Sequence, residues 1–138
     1  MIRVIGVGSP FGADRLAWLA VDHLSTLQLS ECELIKLDRP GSQLLNYFRE
    51  VLKVILIDAV ALDETPGGAS LLAPVDLQQI SVSTSSHGFG VAQTLALGTQ
   101  LGQMPPDFHL IGIHTGIALS ELPSLDVEAL ERLVLPLI

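Results

Sequence analysis

Cysteine is nearly missing from this chain: Cys32 is the only one among 138 residues. That excludes an intrachain disulfide and a cysteine-based zinc site, and it points to a reducing compartment, the cytoplasm. Positive charge is scarce too. Seven Lys and Arg stand against fifteen Asp and Glu, a formal net charge of −8, so the basic patch that a phosphate backbone requires can hardly be built and nucleic acid is not an expected partner. An acidic surface of this kind draws cations or basic protein surfaces more readily than acidic ligands. Long apolar runs are also lacking. No stretch approaches the roughly 20 residues that cross a bilayer, so the mean hydropathy of +0.51 belongs to buried strands and no membrane partner is expected. The apolar run at the amino terminus is too short and too β-branched for a signal peptide and reads as a strand.

Two common site motifs fail as well. Gly6-Val7-Gly8 ends a strand, but a dinucleotide fingerprint needs glycine where Phe11 stands, and no Lys-Ser or Lys-Thr pair offers a P-loop. No Gly-x-Ser-x-Gly elbow occurs, and Cys32 falls at the start of a strand, which disfavours a covalent mechanism.

The composition, 49% apolar and 16% charged, is that of a folded chain, and the length suits one domain over residues 1–138. Continuous apolar runs at Ile2 to Val7, Val54 to Ile57 and Leu110 to Ile113 predict parallel strands buried on both faces. Shorter strands are expected at Cys32 to Leu37 and Ala69 to Ala73, each next to a Pro-Gly turn. Helical spacing recurs in Leu16, Leu19, Ala20, Leu24 and Leu27, in Leu44, Leu45, Phe48, Val51 and Leu52, and from about His87 to Gly102. A last helix is expected with Ser124 as its cap, Asp126 and Glu128 in its first turn, and Pro136 at its end. The fold predicted is an α/β three-layer sandwich, a twisted, mostly parallel five-stranded sheet with helices on both faces.

In such sheets ligands bind beyond the carboxyl ends of the strands. The stretches that follow the apolar runs carry polar residues: Gly8 to Arg15, Asp38-Arg39, Asp58 and His114-Thr115. Asp58 closes the run Val54-Ile55-Leu56-Ile57, where a carboxylate is costly unless it is paired, hydrogen-bonded or bound to a metal. The alternative is a carboxylate that caps a loop or a helix. His87 precedes Gly88-Phe89-Gly90, a backbone able to present a side chain into a cleft. A carboxylate and an imidazole together suit a divalent first-row metal such as zinc or nickel. His114 lies at the same rim as a reserve ligand, whereas His23 and His109 read as structural.

Taken together, Val4-Ile5-Gly6-Val7-Gly8-Ser9-Pro10 with Asp14, Ile55-Leu56-Ile57-Asp58-Ala59, Pro66-Gly67, His87-Gly88-Phe89-Gly90 and Leu110-Ile111-Gly112-Ile113 resemble the hydrogenase maturation endopeptidases. The resemblance implies a cytoplasmic, aspartic-type endopeptidase that removes the carboxyl-terminal extension of a nickel-iron hydrogenase large-subunit precursor once nickel is inserted, with nickel presented by that precursor. It implies metal contact and catalysis by Asp58 and His87, and substrate contact by Gly88. The family has an acidic residue where this chain has Arg15, and a guanidinium cannot ligate a cation. Asp14, Asp38 or the precursor's own nickel ligands are the candidates to complete the metal's sphere. Arg15 would then pair with Asp58 or bind a carboxylate of the substrate tail, and Asp38 is a further substrate contact. The alternative is a non-catalytic relative that binds a metalloprotein precursor without cutting it.

Overall fold

The computed structural model describes residues 1–62, 64–77, 90–116 and 121–138. Five strands form one sheet: β1 (Ile2–Gly8), β2 (Cys32–Asp38), β3 (Lys53–Val60), β4 (Ala69–Leu72) and β5 (Asp107–His114). Their spatial order is β2-β1-β3-β5-β4. The β1/β2, β1/β3 and β3/β5 pairs are parallel, and β4 runs antiparallel along the outer edge of β5. The architecture is the mostly parallel α/β sheet expected.

The apolar runs of β1, β3 and β5 are continuous because both faces of the sheet are covered. On one face Val4, Ile55, Ile57, Ile111 and Ile113 meet Leu16, Ala17, Ala20 and Leu24 of helix α1 (Leu16–Ser25), together with Leu130 and Val134 of helix α3 (Val127–Val134). On the other, Ile5, Val54, Leu56 and Leu110 meet Leu44, Leu45 and Phe48, together with Val91, Ala92 and Leu95 of helix α2 (Val91–Leu101). Burying one Leu or Ile side chain in these layers contributes roughly 1.5–3 kcal/mol. Helix α1 lies so close to β1 that a Cβ on Gly6 would come within 2.7 Å of the Ala17 carbonyl oxygen.

Several elements differ from expectation. The segment that carries Leu44, Leu45 and Phe48 is a 3-10 helix over Gly41–Phe48. Arg49 is extended and Glu50 has a φ of 63°, so Val51 already leads into β3 and Leu52 is 70% exposed. Leu45 and Phe48 still share a face, since residues three apart eclipse in a 3-10 helix. Asp126, and not Ser124, caps α3, its Oδ1 accepting from the Ala129 N–H at 3.0 Å. The Ser124 carbonyl instead packs against Gly67. Helix α3 stops at Val134, and Pro136 lies in the 3-10 turn Leu135–Leu137. Helix α2 begins after Gly90 and ends at left-handed Gly102, with φ 67°; the expected start at His87 lies outside the described residues. Strand β3 runs two residues past Asp58. No helix among the described residues is long and apolar enough to cross a membrane.

Candidate functional site

The carboxyl end of the sheet is where the polar residues gather. In register, Val7 lies opposite both Leu37 and Asp58, and Asp58 lies opposite Gly112. Asp58 is 0% exposed, the only acidic residue buried to this degree among the described ones. Side chains alternate along a strand, so Asp58 shares the face of Leu56 and Val60, which is the α2 face.

The loop after β1 is folded tightly on itself. The Ser9 N–H donates to the Asp14 carbonyl at 3.2 Å and the Asp14 N–H to that of Phe11 at 3.2 Å, while the Phe11 N–H reaches Ser9 Oγ at 3.4 Å. Gly8 permits this return, since a Cβ there would sit 2.2 Å from the Asp14 carbonyl oxygen. The loop leads into a 3-10 turn, Gly12–Arg15, that packs against β3. Asp14 and Arg15 are thereby brought to the strand that carries Asp58. Asp14 is half-buried, and its Oδ1 is buried without a hydrogen-bond partner among the described residues. Arg15 is exposed and forms no ion pair with a described residue, Asp58 included.

Asp38 ends β2 beside Gly8. It is exposed, and its Oδ1 accepts from Arg39 Nε at 2.8 Å. Asp14, Asp38 and Asp58 do not converge: among the described residues no three His, Cys, Asp or Glu side chains are grouped to hold a metal ion. His87 and Gly88 lie outside the described residues.

His114, also at the rim, is enclosed by residues from the edge strand and the turn before it. It is 4% exposed. Its Nε2 lies 2.8 Å from Ser70 Oγ and 3.4 Å from Glu64 Oε2, and its Nδ1 is buried without a partner among the described residues. The cause is a bulge at the start of β4. Gly67, at φ 87°, donates its N–H to the His114 carbonyl at 2.7 Å, and the His114 N–H donates to the Gly68 carbonyl at 2.8 Å. Two residues thus face one, with glycine in the left-handed position, and the edge strand is re-aimed over the imidazole. The Pro66-Gly67 pair marked the turn, but neither Ser70 nor Glu64 carried a signal in sequence.

The other two histidines meet carboxylates away from the rim, His23 Nε2 lying 2.7 Å from Glu131 Oε2 and His109 Nε2 2.8 Å from Asp107 Oδ1. Cys32 opens β2 at the opposite end of the sheet, and burial pushes its thiol up from the ordinary value.

The family model of the hydrogenase maturation protease HycI matches residues 21–133. The chain belongs to this hydrogenase maturation protease family. The matched span includes Asp58 and His87 and begins after Asp14-Arg15. Similar solved structures include the hydrogenase maturating endopeptidase HybD from E. coli, at TM-score 0.71 and 24% identity over 99% of this chain and 91% of that one. The [NiFe] hydrogenase maturation protease HycI from Thermococcus kodakarensis superposes at TM-score 0.61 and 21% identity over 99% and 88%. A hydrogenase 2 maturation peptidase from Thaumarchaeota archaeon SCGC_AB-539-E09 gives TM-score 0.58 and 28% identity over 99% and 94%. Comparison with curated proteins finds no match. The shared fold accounts for the sheet order, and the family is one of hydrolases.

Proposed function

We propose that this family member is a cytoplasmic, aspartic-type endopeptidase that removes the carboxyl-terminal extension of a nickel-iron hydrogenase large-subunit precursor after nickel insertion. The observation that carries this reading is the place of Asp58, a carboxylate 0% exposed on a central strand at the carboxyl rim, the end of such sheets at which ligands bind. Nickel arrives with the substrate. The precursor's nickel centre docks against Asp58 and His87, a carboxylate and imidazole set that suits this metal. Docking reports that insertion is complete and brings the scissile peptide beside the metal, whose Lewis acidity assists cleavage.

A second reading, a non-catalytic relative that binds the precursor without cutting it, is favoured by one residue: Arg15 stands where the family resemblance puts an acid, and it is unable to ligate a cation. Incubation of purified protein with the host's large-subunit precursor, nickel-loaded and nickel-free, separates the two. The peptidase reading expects cleavage of the nickel-loaded form alone, lost by about three orders of magnitude or more in Asp58→Ala. Binding without cleavage selects the second reading, and full activity in a folded Asp58→Ala protein would falsify the role of Asp58.

A further inference from the structure

Four of the seven cationic side chains are each matched to a carboxylate: Arg3 to Glu33, Lys36 to Asp22, Arg39 to Asp38 and Lys53 to Asp107. Arg15, Arg49 and Arg132 have no such partner among the described residues. Arg49 follows the 3-10 helix on the approach to β3 and Arg132 lies on α3, so Arg15 is the unmatched cation of the carboxyl rim. Its isolation is not for want of anions, because Asp14, Asp38, Asp58 and Glu64 all belong to the same rim. In a chain of net charge −8, this guanidinium attracts a carboxylate where the surrounding acids repel it. At the N-cap of the same 3-10 turn, Phe11 is 68% exposed, although its backbone is held at both N–H and C=O by Ser9 and Asp14. A large apolar side chain displayed on a fixed loop that also carries a cation without an ion-pair partner among the described residues offers two anchors of the kind that binding surfaces use.

We propose that the loop after β1 reads the segment the peptidase removes: Arg15 binds a carboxylate of the precursor's extension, and Phe11 packs against an apolar side chain beside it. This assignment rests on the precursor being the substrate, and it gives the residue at position 15 a role in choosing the substrate instead of holding a metal. The carboxylate is either an Asp or Glu side chain or the terminal carboxylate of the extension. Both offer the planar, two-oxygen acceptor that a guanidinium fork matches.

The test is the affinity of the full chain, in an Asp58→Asn background that slows turnover, for the intact nickel-loaded precursor measured by titration. Arg15→Ala and Phe11→Ala are each expected to raise Kd roughly five- to tenfold. Arg15→Lys is expected to recover only part of the loss, since an ammonium lacks the fork. Two altered precursors locate the carboxylate. Asp→Asn and Glu→Gln changes through the extension remove the side-chain source, and a Gly-Gly addition displaces the terminal one. One of them is expected to weaken binding as much as Arg15→Ala does and to show no further loss in combination with it. An unchanged Kd in Arg15→Ala overturns the proposal, as do losses that multiply when protein and precursor changes are combined. If Asp58→Asn still cuts the precursor, the catalytic role of Asp58 fails while the Arg15 comparison is read from initial rates.

Discussion

The two ends of the sheet handle charge differently. At the amino end, Arg3 meets Glu33 and donates to the Tyr47 carbonyl, Lys53 meets Asp107 and the Leu137 carbonyl, and Asp107 also meets His109. These groups are matched and partly in water, so each contributes about 1 kcal/mol or less. At the carboxyl end Asp38 meets Arg39, but a carboxylate and an imidazole are buried, Arg15 has no ion-pair partner among the described residues and Phe11 faces solvent. The amino end is arranged as a stable surface is. The carboxyl end departs from that arrangement on the same strands, and such departures gather where a protein has work to do.

Three substitutions sharpen this contrast. The largest effect is expected for Gly67→Ala, which places a Cβ 1.9 Å from the Ser124 carbonyl oxygen at a φ of 87°. Backbone strain and overpacking together should cost about 2–4 kcal/mol, visible as a lower denaturation midpoint; an unchanged midpoint would mean that the bulge does not hold the rim. Next is His114→Phe, which deletes the contact with Ser70 and should cost about 1–2 kcal/mol. Adding Ser70→Ala to it should change little further, because both remove one interaction; two full, additive losses would show that the pair is not coupled. The smallest is Glu33→Gln at the amino end. Its partner is Arg3 and its side chain is 43% exposed, so the change in stability should stay within about 0.5 kcal/mol. A loss above 2 kcal/mol in the same denaturation series would erase the distinction between the two ends.

The legible parts of the fold were those with local causes. Runs such as Val54 to Ile57 announce a strand buried on both faces, and that signal needs no knowledge of neighbours. The Gly41–Phe48 segment was harder. Its apolar spacing fits an α-helix and a 3-10 helix alike over so few residues, and the break at Arg49 and Glu50 is set by how the chain must enter β3. The cap of α3 is ambiguous in sequence for a similar reason. Ser124 and Asp126 are both good caps by composition, and the choice was made by Gly67, whose carbonyl accepts the Asp126 N–H at 3.0 Å.

Sequence alone determined the class of fold, the rim at which to look, the prominence of Asp58, and the presence of an arginine where the family resemblance puts an acid. These depend on residue type and on position within a periodic run, which the chain carries locally. Only the tertiary structure decided that Arg15 forms no ion pair with Asp58 and that His114 is enclosed with Ser70 and Glu64. Those outcomes depend on which side chains meet across strands and loops far apart in sequence, and a partner at that distance leaves no mark beside the residue it engages.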